Sequence, residues 1–349
     1  MNAPPRFNLH YLPLMVTISL FAVMFGLGSV LYPGFFSLQV FFNLFIDNAF
    51  LFIVAIGMTF VILSGGIDLS VGSVVALTTM ISAALVEQHH WNPFAVMALV
   101  LAVGSGFGFA MGCLIRYFNL QPFIVTLAGM FLARGLCYLI SIDSISITAP
   151  VYERISQYRI PIVGDSAISV GVVIALALLA VAIFIAHFTR FGRTVYAIGG
   201  NEQSAMLMGL PVGRVKILIY TFSGFCSALA GVVFTFYMLS GYGLHAQGME
   251  LDAIAAVVIG GTLLTGGVGY VAGTVFGVLI LGVIQTLIMF DGSLSSWWTK
   301  IVIGMLLFAF CLMQRLFEAR ALHRDAGFSA FGRLARAIRV PRGEAARIS

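Results

Sequence analysis

Five stretches of this chain, residues 48–67, 88–115, 166–189, 217–249 and 253–290, contain no Asp, Glu, Lys or Arg. A helix needs about 20 predominantly apolar residues to cross the hydrocarbon layer, and the last stretch is long enough for two crossings. A chain patterned in this way folds in lipid, where each backbone group must find its partner within the protein. Composition agrees. Sixty per cent of the 349 residues are hydrophobic and 9% are charged, with a mean hydropathy of +1.06; an ordinary soluble domain is about 25% charged.

The apolar runs predict an all-α, polytopic transmembrane bundle of about ten helices, at 14–33, 45–63, 70–86, 94–115, 121–141, 167–188, 216–240, 253–268, 271–290 and 297–314. The first run follows Arg6 but is too long for a signal-peptide core and lacks a small-residue cleavage site, so it is expected to stay as an anchor. Orientation follows from where Lys and Arg fall, since they concentrate on the cytoplasmic side. With both termini inside, Arg6, Arg116, Arg190, Arg193, Arg214, Lys216 and eight C-terminal arginines are cytoplasmic, fourteen of eighteen. Arg154, Arg159 and Lys300 stay outside, and Arg134 falls within a helix. Trp297, Trp298 and Lys300 match an outer aromatic belt with a snorkelling lysine.

The net charge of +5 does not imply nucleic acid, because the basic residues flank membrane helices, where anionic lipid is the simpler partner. Cys113, Cys137, Cys226 and Cys311 sit in apolar runs without metal-ligand spacing and read as small hydrophobes. His89-His90 reads as loop rather than metal site. Gly104, Gly108 and Gly112, like Gly269, Gly273 and Gly277, recur every four residues, the spacing of close helix packing in lipid.

Two segments break the apolar pattern. The first, "SGGIDLS" from Ser64 to Ser70, puts Gly65, Gly66, Asp68 and Ser70 between apolar arms, with Gly72 just beyond. The second, "IGGTLLTGGVG" at 259–269, carries Gly260, Gly261, Gly266 and Gly267. Glycine-interrupted segments in both halves of a transporter commonly flank its permeation path, and a carboxylate at bilayer depth faces a polar cavity or an interface. The other reading is a tight cytoplasmic hairpin in which Asp68 caps the next helix. Both readings stay open at this point.

A third segment, "TRFGRTVYAIGGNEQSAMLMGLPVGRVK" at 189–216, is too polar for the bilayer. It contains a short helical run from Asn201 to Met208, with Asn201 as cap and Gly209 as stop. It is either a docking element or a solvated loop whose arginines enforce topology.

The stretches "GMTFVILSGGIDLSVGS", "TLAGMFLARG", "GRTVYAIGGNEQSAMLMGL" and "ELDAIAAVVIGGTLLTGGVGYVAGTVFGV" together resemble the membrane permease of the ribose-type family of bacterial ABC sugar importers. The likeness covers nearly all of residues 10–315, which implies a transmembrane permease domain over 1–315 and leaves 316–349 as a basic cytoplasmic tail outside the pattern. "DNAFLFIVAIGMTFVILSGGIDLSVGSVVA" and "FDGSLSSWWTKI" bring it nearest to a permease of the galactofuranose-importer type. The resemblance implies a multi-pass inner-membrane subunit that imports a monosaccharide handed over by a periplasmic binding protein. It also implies a similar second permease as partner and an ATP-binding cassette subunit that supplies ATP and Mg, so this chain needs no cofactor of its own. Under it the 189–216 loop, with Arg193, Tyr196, Gly199, Gly200, Asn201, Glu202 and Gly209, couples to that ATPase.

The sequence agrees by omission: no G-x-x-x-x-G-K-[ST] loop occurs, and only two lysines, Lys216 and Lys300, exist to form one. The rival reading is an ion-coupled secondary transporter, for which Asp68 and Arg134 are the candidate ionisable groups. A membrane enzyme is disfavoured by the lack of HExxH, of G-x-S-x-G and of paired carboxylates. In the tail, Arg333, Arg336 and Arg339 alternate with Phe331, Leu334 and Ile338, which reads either as a disordered segment or as a short helix lying on the inner leaflet.

Overall fold

A computed structural model describes residues 12–315 of the protein apart from positions 165 and 296. The basic tail after residue 315, with its proposed surface helix, lies outside the described residues. The described residues up to 304 belong to one compact unit and residues 305–315 to a second.

Nine helices among the described residues are long and apolar enough to cross a bilayer. They are α1 (Leu12–Leu31), α2 (Leu38–Leu63), α3 (Val71–Ala83, extended by a π-helical turn to Gln88), α4 (Pro93–Tyr117), α5 (Pro122–Ile140), α7 (Val170–Phe188), α10 (Val212–Met238), α12 (Val271–Asp291) and α13 (Trp297–Arg315). Shorter helices are α6 (Pro150–Gln157), α8 (Arg190–Gly200), α9 (Glu202–Leu207) and α11 (Met249–Ile259). Two small antiparallel pairs complete the described structure, Ile145–Ser146 with Ser240–Gly241 and Arg159–Val163 with Ser166–Ser169.

Local chemistry sets the ends. The Ser37 hydroxyl accepts the Val40 N–H at 3.1 Å and Asn92 accepts the Phe94 N–H at 2.9 Å, each satisfying one of the free donors at a helix start. Pro93 and Pro122 occupy first-turn positions, where the missing N–H has no cost. On the outer side Glu87 holds α6, its carboxylate accepting the N–H groups of Thr148 (2.6 Å) and Ala149 (2.8 Å).

The glycine stripes are packing seams. A Cβ on Gly104 would lie 2.8 Å from the Gly224 carbonyl of α10, and one on Gly112 2.9 Å from the Ile217 Cα. Cβ atoms on Gly108, Gly273 and Gly277 would likewise strike the backbone of Tyr220, Gly260 and Ala256. α4 and α11 therefore touch α10 and α12 backbone to backbone, which only glycine permits. The four cysteines are free thiols, Cys137 and Cys226 fully buried.

The eighth crossing departs from expectation. A continuous helix over 253–268 was predicted, but α11 ends at Ile259, because Gly260-Gly261 turns the chain and Gly261 adopts φ +92°. Eleven residues rise about 16 Å, about half the hydrocarbon thickness. The passage is completed by non-helical chain at both ends, residues 239–248 above and 260–270 below. Irregular backbone survives at membrane depth only where protein groups satisfy it, and Arg134 does so above, its guanidinium donating to the carbonyls of Gly243 (2.6 Å) and His245 (2.8 Å). That accounts for the one arginine inside a predicted helix.

Candidate functional site

The three exceptional segments of the sequence meet. α2 ends at Leu63, the chain turns at Gly65 (φ +80°), and the Leu63 carbonyl accepts the N–H of Gly267 at 2.9 Å. α8 lies against this contact. A Cβ on Gly199 would strike the Leu63 carbonyl and the Gly267 nitrogen. A Cβ on Gly267 would lie 2.7 Å from the Gly200 nitrogen, and one on Gly266 2.8 Å from the Gly65 nitrogen and 3.0 Å from the Gly199 Cα. Gly266 (φ +84°) and Gly267 (φ +75°) also need left-handed backbone that side chains rarely adopt. Five glycines predicted under two separate headings, Gly65, Gly266 and Gly267 in the path and Gly199 and Gly200 in the coupling loop, thus form one backbone-on-backbone junction.

Tyr196 fastens the same junction from α8. Its hydroxyl donates to the Gly269 carbonyl at 2.9 Å, and burial, with the Tyr270 hydroxyl nearby, pushes the phenol up to about 12. It therefore remains a neutral donor at any physiological pH.

From this inner junction the first interruption climbs into the bundle. Asp68 is fully buried; one carboxylate oxygen accepts the Ser70 N–H (2.9 Å) and hydroxyl (2.6 Å), the other the Ser223 hydroxyl of α10 (2.7 Å). Ser223 lies eleven residues into α10, about 16 Å along it. Asp68 thus closes the turn into α3 and ties it to α10. Gly66 packs on Val61 and the Tyr220 hydroxyl, and that hydroxyl is buried without a hydrogen-bond partner among the described residues. Gly72, in the first turn of α3, faces the start of α11, where a Cβ would lie 2.5 Å from a Glu250 carboxylate oxygen and 2.6 Å from the Ala246 carbonyl. α3 and α11 therefore begin beside each other inside the bundle and run in opposite directions. Gly260 supports the far end of α11, a Cβ there lying 2.6 Å from the Gly273 carbonyl.

Arg193 is exposed on α8. Asn201 caps α9 as expected, its side-chain oxygen accepting the Ser204 N–H at 2.8 Å, and Gly209 stops it at φ +76°. Glu202, its side chain 43% exposed, accepts two hydrogen bonds of 2.7 Å from the Lys216 ammonium and so braces α9 against α10. At its C-terminal end α9 presents an apolar tip beside the exposed Gln203 and Ser204: Met206, Leu207 and Met208 are 54%, 90% and 69% exposed. Sequence reasoning missed this tip, although three consecutive apolar residues in a polar loop were the available signal. It also missed α8, whose terminal Gly199-Gly200 disguises a helix held there by tertiary contact. Lys300, next to the outer tryptophans, pairs its ammonium with Asp252 at 2.6 Å.

Comparison with known proteins gives one family match over residues 40–311, described as "Branched-chain amino acid transport system / permease component". The chain is 52% identical to the inner membrane ABC transporter permease protein YjfF of Escherichia coli, over 87% of this chain and 92% of that protein. It is 42% identical to the fructose import permease protein FruG of Bifidobacterium longum, over 87% and 91% of the two chains. To the ribose import permease protein RbsC of Escherichia coli it is 36% identical, over 80% and 87%. No solved structure matches.

Proposed function

Because the chain belongs to the branched-chain amino acid transport system / permease component family and is a multi-pass protein of the inner membrane, we propose that it is the permease of an ATP-driven importer of a monosaccharide. Support for a sugar comes from relatives that are fructose and ribose import permeases. The stretches around Asp68 and Trp297 that resemble the galactofuranose-importer type make galactofuranose the specific substrate of this reading, and a second, similar permease its partner. ATP hydrolysis belongs to a separate cytoplasmic subunit, and a periplasmic binding protein delivers the sugar.

The observation that carries the reading is the glycine junction. Force arriving at α8 and α9 has no soft side chain in which to dissipate, because Gly199 rests directly on the backbone of Leu63 and Gly267. A displacement of the α8–α9 element therefore moves the inner ends of both interrupted segments together. The exposed Leu207 tip fits a groove on the ATPase, with the Glu202–Lys216 pair keeping α9 stiff beneath it. Gly65, Gly66, Asp68, Ser70 and Gly72 of the first segment, and Gly260, Gly261, Gly266 and Gly267 of the second, are then the moving parts of the inner gate.

The test is reconstitution of this permease in proteoliposomes with its ATPase, a second permease and the binding protein. Uptake of labelled galactose, ribose or fructose is expected only with ATP and the ATPase, and a protonophore leaves it unchanged. Uptake without the ATPase that collapses on adding the protonophore would establish ion coupling instead.

A further inference from the structure

On the outer half of the bundle, α2, α11, α12 and the first residues of α13 line an open cavity of about 490 Å3. It shares the wall formed by Asn48, Leu51, Asp252, Gln285 and Met289 with a second cavity of about 340 Å3, which reaches Asp47 and Tyr237. Volumes of this order are typical of small-molecule sites.

The position is as informative as the size. Asp47 lies nine residues, about 13 Å, below the outer end of α2, and Gln285 six residues, about 9 Å, below that of α12. Charged groups at such depth persist where they face one another or water rather than lipid. Asp252 is matched by Lys300, and Asp47, whose charge has no counter-ion here among the described residues, accepts the Tyr237 hydroxyl at 3.2 Å. What remains is unspent hydrogen-bonding capacity. Among the described residues no hydrogen bond reaches the Gln285 amide; the Asn48 amide donates once, to Leu44 O, and leaves its oxygen free; Asp47 uses one of its two oxygens. At the rim stands the Trp297 ring, 76% exposed.

We propose that this cavity is an outer station for the sugar, the surface that receives a neutral monosaccharide before it reaches the inner gate. The inference rests on the monosaccharide reading above and goes beyond it by assigning residues. Gln285, Asn48 and Asp47 supply amide and carboxylate groups for sugar hydroxyls, while Trp297 covers the apolar C–H face of the ring, the division of labour between polar anchors and an aromatic wall seen in small-ligand pockets. Lys300 is already neutralised by Asp252, and Asp47 leaves the set with a formal charge of −1. The station therefore disfavours sugar phosphates and sugar acids and accepts uncharged polyols.

The experiment uses the complete importer in proteoliposomes and, separately, the permease pair in nanodiscs without binding protein, with labelled galactose, ribose and fructose as probes. Gln285→Leu and Trp297→Ala are compared with Trp297→Phe, which keeps an aromatic face, and with Ile162→Ala on the exposed outer hairpin. Direct sugar binding and uptake are expected to weaken at least about tenfold in the first two and to stay near wild type in the last two, and basal ATP hydrolysis is expected to be unchanged in Ile162→Ala. Competition by the unlabelled sugar but not by its phosphate ester is the expected selectivity. Wild-type binding and uptake in Gln285→Leu and Trp297→Ala overturn the station and leave the importer reading intact. Failure of the wild-type importer to take up any of the three sugars overturns both.

Discussion

Adding one methyl group at Gly199 tests the junction directly. The new carbon would land on the Leu63 carbonyl and the Gly267 N–H, which bond each other at 2.9 Å. Breaking that buried bond leaves a donor and an acceptor unpaired, at about 1–3 kcal/mol, and forced overpacking adds about 1–3 kcal/mol. Even the lower sum, about 2 kcal/mol, lowers the population of the closed junction about 30-fold. Gly200 is the internal control, since a Cβ there meets nothing within 4 Å and its backbone is not left-handed. In proteoliposomes, Gly199→Ala is expected to insert and assemble normally but to lose sugar-stimulated ATP hydrolysis and uptake, whereas Gly200→Ala behaves as wild type. Equal activity in the two variants would refute the idea that α8 drives both segments through this contact.

Asp68→Leu removes the acceptor of three hydrogen bonds and is expected to lower the thermal midpoint of the detergent-purified permease sharply, while Asp68→Asn, which keeps one oxygen and the shape, costs much less; equal losses on size-exclusion after heating would show that the charge itself matters. Leu207→Asp changes a side chain 90% exposed, so stability should hold while co-purification of the ATPase fails; retained association would remove the α9 tip from the interface. Glu202→Arg places like charges beside Lys216 and is expected to reduce ATPase stimulation, with recovery in the Glu202→Arg/Lys216→Glu double variant; no recovery would mean that Glu202 acts on the partner rather than on α10.

The long helices were legible because lipid leaves few choices: about 20 apolar residues without a charge specify a crossing almost alone. The stripe at Gly104, Gly108 and Gly112 told correctly where α4 must meet a neighbour closely, though not that the neighbour is α10. Asp68 was readable as either a cap or a path residue because both roles use the same carboxylate. Its Ser223 partner, 155 residues away, was invisible to local pattern. The convergence of Gly65, Gly199 and Gly266 was hidden for the same reason: each glycine announces a close approach and none names its partner. The Asp252 partner of Lys300, 48 residues away, was likewise invisible to local pattern.

The shortness of α11 also governs how the protein is made. Eleven residues fall well below the roughly 17 that a span requires, and its first turn carries Glu250 and Asp252, carboxylates that weigh further against independent insertion. This segment therefore cannot be handed to the bilayer by itself as it leaves the insertion machinery. It must wait in a hairpin between α10 and α12 until the Arg134 carbonyl clamp and the Gly260–Gly273 contact are available to receive it. Its insertion is thus coupled to that of α10 and α12 rather than independent of them.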